Sequence, residues 1–440
     1  MNSCSRRARA LALLAAAVAS ASAPAFASGF NIDEQDARST GRAGAVVASS
    51  NAPSSIYYNS AGIALTEGVG IDVGGSYLRP TAGFTSAESG EKTEAERDSF
   101  VLPQAFVSWR ASELVALGIG LHSSYGLALK WPETSPARAE VRDSELRTFF
   151  ITPTFALNLS RYVPGLAVGA GVDLVPSSVQ LSRDILFGTD TGSVTLGGDA
   201  FGVGARVGIA YRPQAAPALA FGLIYRSPVV LAFSGDADFD APPEYRPSLP
   251  PDGDVSTEVT LPQVVQLGVQ VSPVRELQIE VDGSWRGWSS YDQLDITLPD
   301  GTVESSARDW KDTFCVRLGV EYTFVDRWSV RLGAIWDQAP VPANHLDFQL
   351  PDADRFDLTG GLGARLSEAF AIDAGVLYVL PQQRSTSMED PLEPPVKGEF
   401  DIDALVIGLT LRVQIDTALA PPLAAEASPC ERPGAHLHGC

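Results

Sequence analysis

Histidine is scarce in this 440-residue chain: His122, His345, His436 and His438 are the whole set. His122 precedes Ser123 and Ser124, the residue types of a serine nucleophile and its base. Such a pair also needs a carboxylate to orient the imidazole, and none is evident beside His122, so catalysis is not expected. Cys430, His436, His438 and Cys440 are zinc-ligand types. Their spacing is loose and their stretch is rich in Pro and Ala, so a flexible tail without metal or cofactor is the simpler reading. Arginines form the third set. Arg183, Arg286, Arg317 and Arg331 fall with Glu280, Asp282 and Glu321 on the polar sides of alternating segments. Arg183 and Arg317 are the candidates to hold an organic carboxylate by charge-assisted hydrogen bonds. Salt-bridge ladders between structural elements are the competing reading, and the one favoured for any single arginine. The acidic run Glu88, Glu91, Glu94 and Glu96 suits divalent cations or plain solvation better than substrate.

The elements that carry these residues alternate with period two. In 401–415, Leu405, Ile407, Leu409, Leu411, Val413 and Ile415 share one face, and Ala404, Gly408, Thr410, Arg412 and Gln414 the other. Residues 314–324 set Phe314, Val316, Leu318, Val320, Tyr322 and Phe324 against Cys315, Arg317, Gly319, Glu321 and Thr323. Strict alternation gives each strand one apolar and one polar face. Fourteen such strands are predicted, near 69–79, 100–110, 113–127, 146–160, 166–183, 194–212, 218–233, 255–271, 275–288, 310–323, 327–338, 355–367, 370–380 and 401–414. Their connections alternate short and long, the long ones near 80–99, 128–145, 184–193, 234–254, 289–309, 339–354 and 381–400. That rhythm and an even strand count predict an all-β, 14-stranded antiparallel transmembrane β-barrel with long extracellular loops. A soluble sandwich would have to produce the rhythm by chance. Trp109, Trp285, Trp288, Trp310, Trp328 and Trp336, with Tyr162, Tyr211, Tyr322 and Phe324, fall near strand ends and are expected in interfacial girdles.

Composition agrees. Hydrophobic residues make up 45% of the chain, yet no apolar block of membrane-helix length follows residue 30. A net charge of -21 excludes nucleic acid as a partner. Residues 1–27 read as a signal peptide: Arg6, Arg7 and Arg9 precede an apolar core, and Ala25-Phe26-Ala27 is a cleavage site. Cys4 leaves with it, and Cys315, Cys430 and Cys440 are too few for a disulfide framework. Residues 28–68, rich in Gly, Ala and Ser, lie outside the strand rhythm and suit either a disordered leader or a plug for a wide barrel.

Several runs resemble the FadL family of outer-membrane transporters of long-chain fatty acids and other hydrophobic compounds. They are Ser28-Gly29-Phe30, Gly41-Arg42-Ala43, Tyr58-Asn59-Ser60-Ala61-Gly62, His122 to Leu127, Tyr225-Arg226-Ser227-Pro228, Leu261-Pro262, Trp285 to Ser289, Pro340 to Ala343 and Pro351 to Phe356. The resemblance implies a barrel at 69–415 closed by a hatch at 28–68, with a flexible tail at 416–440. It implies a loop groove, then a deep apolar pocket near Gly29 and Phe30. A kink in the third strand at Ser124, Tyr125 and Gly126 would release ligand sideways into the membrane. Asn59, Ser60 and Ala61 would be the hatch motif, with Ser60 where the family has proline. The expected function is passive uptake of hydrophobic molecules, long-chain fatty acids first. Aromatic or alkane hydrocarbons, or general diffusion through a porin, are the alternatives. The implied setting is a monomer among outer-membrane lipid and lipopolysaccharide.

Overall fold

The computed structural model describes residues 29–96, 99–386 and 397–416. The expected signal peptide, the tail beyond Asp416, and with them Cys4, Cys430, Cys440, His436 and His438, lie outside the described residues. Fourteen antiparallel strands close into a barrel. The first seven are β1 (Val69–Ser86), β2 (Lys92–Glu94 and Phe100–Arg110), β3 (Val115–His122 and Gly126–Lys130), β4 (Asp143–Thr148 and Phe150–Asn158), β5 (Leu166–Phe187), β6 (Asp190–Tyr211) and β7 (Leu219–Arg226 and Val229–Asp240). The others are β8 (Gly253–Leu261 and Val264–Val274), β9 (Leu277–Arg286 and Gln293–Thr297), β10 (Val303–Ala307 and Thr313–Phe324), β11 (Trp328–Asp337), β12 (Arg355–Arg365), β13 (Phe370–Ser385) and β14 (Gly398–Ile415). Closure comes from β1 against β14, paired from Val69↔Ile415 to Ser86↔Gly398.

Burial is inverted relative to a water-soluble sheet. On β10, Phe314 is 56% exposed and Leu318 43%, while Arg317 and Glu321 on the opposite face are 3% and 4% exposed. On β14, Ile407, Leu409, Leu411 and Ile415 point outward and Thr410 inward. An outward apolar belt with charged residues inside belongs in lipid, where pairing between neighbouring strands satisfies most of the backbone. Trp109, Tyr162, Tyr211, Tyr322, Phe324 and Trp328 are exposed as a girdle requires. Trp288 and Trp310 are not: both are buried in an internal aromatic cluster, because the chain turns inward there. The loop expected at 184–193 is also shorter than expected. β5 and β6 stay paired to Phe187↔Asp190, and Gly188 at φ +67° makes the tight reversal that a side chain would strain.

Residues 31–66 lie inside the ring. They form two short helices, α1 (Ala37–Thr40) and α2 (Ser55–Tyr58), and a 3-10 turn at Ser60–Leu65. Asp36 caps α1 by accepting from the Ser39 N–H. Their partners come from strands all round the barrel: Ala37 N donates to Thr410 Oγ1 of β14, Val46 and Val47 N to Asp282 of β9, and Thr359 Oγ1 of β12 to Gly41 O. Inward glycines make room. A Cβ at Gly222 would collide with the Val47 carbonyl, and one at Gly375 with the Ala37 carbonyl.

Candidate functional site

Arg317 and its neighbours explain what the inward charges do. Asp33 accepts from Arg286 Nη2 at 2.7 Å, from Tyr57 Oη at 2.6 Å and from Arg317. Arg286 continues to Asp337 at 2.9 Å, and Arg355 bridges Asp337 and Asp357. Arg38 and Arg331 share Glu321, and Arg412 holds Asp72. Burial alone raises Asp33, but Arg317, Arg286 and Arg226 outweigh it and hold the carboxyl well below the usual carboxylate range. Arg317 is therefore a structural clamp on the N-terminal segment. Arg183 pairs with Glu304 at 3.0 Å near the outer end of the barrel. Neither candidate arginine lines the apolar cavity described next.

Phe30 anchors the other site. Its ring lies 4.8 Å from Trp288, 5.7 Å from Trp310 and 6.1 Å from Tyr125, centroid to centroid. Gly29 stands at φ +63°, and a Cβ there would approach the Trp310 ring to 2.8 Å, so only glycine fits beside these rings. Above Phe30 is a half-open cavity of about 700 Å³, solvent at its mouth included. Leu127, Leu146, Val179, Val259 and Trp310 make it apolar, with Arg308, His345 and Asp347 on one side. At the opposite end a wider polar vestibule of about 1410 Å³ is lined by Glu67, Arg110, Tyr162 and Asp416. Phe30 lines the one space and Glu67 the other, so the N-terminal segment runs between them.

The third strand breaks beside Phe30. β3 pairs with β2 from Ala116↔Arg110 to Leu121↔Ala105, and among the described residues that ladder goes no further. On the other side β3 leaves β4 after His122↔Phe150 and resumes at Gly126↔Arg147. Residues 30–32 take the vacated edge: Ile32 N donates to Ser124 O at 2.7 Å and Gly126 N to Phe30 O at 2.9 Å. Gln35 holds Ser123 through its carbonyl at 2.6 Å and its N–H at 3.2 Å. The break falls on Ser123–Tyr125, just ahead of Gly126, which contributes space rather than an unusual backbone angle.

His122 pins this bend. Its Nε2 lies 3.2 Å from Thr152 Oγ1, which donates to Asp173 at 2.7 Å, and 3.5 Å from Arg206 Nη2, while its Nδ1 lies 2.8 Å from Ser124 Oγ. The carboxylate that the sequence did not reveal is thus Asp173, one hydroxyl removed. Ser124 is only 3% exposed, which suits a latch and not a nucleophile.

Gly29, Phe30, Ser124, Tyr125 and Gly126 are brought together. Asn59, Ser60 and Ala61 are elsewhere: Asn59 Nδ2 donates to Val47 O at 2.8 Å and to Ile209 O at 3.0 Å, bracing the segment against β6. Sequence reasoning missed Arg308 and Tyr291, which lie in or beside a stretch taken as loop. Arg308 is bound by Asp347 and Gln349.

A closed barrel with a packed N-terminal segment and an internal apolar cavity invites comparison with known proteins. Residues 18–415 match the family model of the outer membrane protein transport proteins (OMPP1/FadL/TodX). The chain belongs to this family. It is an outer-membrane transporter of hydrophobic compounds and not an enzyme. A long-chain fatty acid transport protein of Salmonella typhi is 24% identical over 404 residues, covering 83% of this chain and 90% of the relative. Among solved structures, a Pseudomonas aeruginosa FadL homologue superposes with a TM-score of 0.79 at 18% identity, covering 88% of this chain and 99% of its own. The Ralstonia pickettii toluene transporter TbuX gives 0.69 at 18% identity, covering 88% and 100%.

Proposed function

We propose that the protein imports uncharged hydrophobic molecules, taking them into the cavity above Phe30 and releasing them sideways at the β3 bend. The carrying observation is that this apolar cavity stands directly over the place where the β2–β3 ladder ends. Burying apolar ligand area contributes roughly 25 cal/mol per Å², enough for a dry pocket to draw such solutes from water. Residues 28–68 act as the hatch that keeps polar solutes from following. Arg308, the arginine of the cavity lining, is already neutralised by Asp347, which favours hydrocarbons over fatty-acid anions. Long-chain fatty acids are the second reading. It is supported by the buried Arg308 Nε, which has no hydrogen-bond partner, and by the relatives named for that substrate. A monomer among lipid and lipopolysaccharide is part of this reading, supported by the β1–β14 closure, which leaves no strand edge there for another subunit.

The test is uptake of labelled toluene and oleate by cells expressing the intact chain, Phe30→Ala, or a chain lacking residues 28–68. The intact chain should raise uptake over empty cells, and Phe30→Ala should lower that gain. No gain for either solute would sink the reading. Rapid passage of small sugars through the intact protein would favour a porin.

A further inference from the structure

The barrel wall is interrupted a second time, between β8 and β9. Their ladder is continuous up to the Gly287 N→Gln263 O bond of 2.9 Å and resumes only at Thr257↔Ile296. Between these points, residues 258–262 face 288–295 with no ladder pair among the described residues. Neither outer neighbour closes the space. β7 occupies the far edge of β8 from Val229↔Leu261 to Ala232↔Glu258. β10 occupies the far edge of β9 through Asp309 N→Asp292 O at 2.9 Å and Gln293↔Ala307. The 3-10 turn Trp288–Ser290 carries β9 inward here and creates the opening.

The two sides of the gap differ in chemistry. Inside lies the apolar cavity, reached by Thr257, Val259 and Leu294. Outside is a recess of about 660 Å³, open solvent included, rimmed by Glu258, Thr260, Asp292 and Asp295. Tyr291 alone lines both spaces. Its ring packs edge-on against Trp310 at 4.9 Å and Phe30 at 6.2 Å. The height of the gap follows from the outward residues of β8. Val265, Leu267 and Val271 belong to the exposed apolar belt, whereas the gap carries Thr260 and Glu258. It therefore opens above the belt, toward water and headgroups, whereas Leu117, Ile119 and Leu121 lead the β3 bend out of the belt itself.

We infer that the β8–β9 gap is a lateral inlet to the cavity, with Tyr291 as its shutter and a carboxylate rim that favours uncharged apolar solutes over fatty-acid anions. This rests on the uptake reading above. Rotation of the Tyr291 side chain away from Arg308 is the motion that joins recess and cavity, and no β8–β9 ladder bond stands in its way. Glu258, Asp292 and Asp295 repel an approaching carboxylate and leave a hydrocarbon unaffected.

The test uses the full chain in liposomes, with labelled toluene and oleate as probes. Thr260→Cys, modified with a bulky thiol reagent, should lose toluene uptake several-fold against its unmodified form. Both proteins carry Cys430→Ser and Cys440→Ser, and the parent without Thr260→Cys should keep its uptake after the same treatment, since Cys315 is buried. Tyr291→Trp should slow toluene and Tyr291→Ala speed it. The variant Glu258→Gln with Asp292→Asn should raise the oleate-to-toluene ratio. Full toluene uptake by the modified Thr260→Cys protein would overturn the inlet and leave the transport reading standing. No uptake by the wild type itself would overturn both.

Discussion

Asp33 is the residue on which the docking of the N-terminal segment turns. Asp33→Asn keeps the size and removes the charge that Arg286, Arg317 and Tyr57 converge on. Arg286 retains Asp337 at 2.9 Å, while Arg317 retains the Ala43 carbonyl at 3.2 Å. Removing one partner of a buried ion pair costs about 3–5 kcal/mol, and the surviving Asp337 contact places this case near the lower end. A loss of about 3 kcal/mol multiplies local opening roughly a hundredfold. Amide hydrogen exchange of residues 30–40 reads that opening directly. Exchange there should accelerate about a hundredfold while the strand amides of β10 stay protected, and Asp33→Glu should restore part of the protection. Acceleration of less than about tenfold, with the barrel intact, would show that packing and not charge holds the segment. The same carboxyl sets a pH expectation. Its value is depressed in the fold, so its stabilisation is complete above the unfolded value of about 3.9 and is lost only as pH falls through the lower folded value. The Asp33 contribution to docking should therefore stay constant from neutrality down to about 4.

Other perturbations probe other parts. Gly222→Val drives a side chain into the Val47 backbone and should expel the segment, seen as ion leakage across planar bilayers; a tight wild-type-like seal would contradict the lumen packing. Ser60 opens the 3-10 turn after Asn59, and its buried hydroxyl lacks a partner. Ser60→Pro should accordingly stabilise by about 0.4–1 kcal/mol and raise Tm, and a lower Tm would mean that its N–H is in use. Burial raises Asp354, in the loop before β12, to about 6 even though the Ala339 N–H favours its ionised form. Because the folded value is the higher one, the loop loses stability as pH rises from the unfolded value toward about 6. Proteolysis within 339–354 should be faster above that pH than below it, and an NMR midpoint for Asp354 near 4 would refute the burial argument.

The fourteen strands are legible because lipid and lumen impose opposite demands on alternate residues, a period that Leu405 to Ile415 keeps on its outward face throughout and breaks inward only at Val406. Places where the alternation stops were misjudged. Trp288 and Trp310 sit where the chain leaves the wall, so a rule about strand ends assigns them to the girdle although they pack in the buried aromatic cluster around Phe30. The segment 289–309 lacks the lipid-facing alternation, since Gln293–Thr297 and Val303–Ala307 are short and polar outside the lipid belt, and so its pattern hides Arg308 and Tyr291. Gly29, Phe30 and Ser124–Gly126 came from family resemblance and do meet in space, but no local pattern announces that they do. Their meeting depends on a register break in β3 and on a segment nearly a hundred residues earlier filling the vacated edge.

The arginines carry the more general lesson. A charge facing a lumen is ambiguous in sequence between binding a ligand and binding the protein, and the partner decides which. Arg317 meets Asp33, which no spacing could have indicated, because the partner lies 284 positions away on a segment outside the strand rhythm. Arg308 meets Asp347 across two loops. With Arg286, Arg317, Arg331 and Arg412 spent on the protein's own carboxylates, the barrel holds its segment largely by charge and leaves the cavity to apolar contact. On the proposed reading, selectivity follows from division of labour: ion pairs hold the segment that closes the pore to polar solutes, while ligand passes the wall at β3 and at β8–β9, where the strand ladder is interrupted.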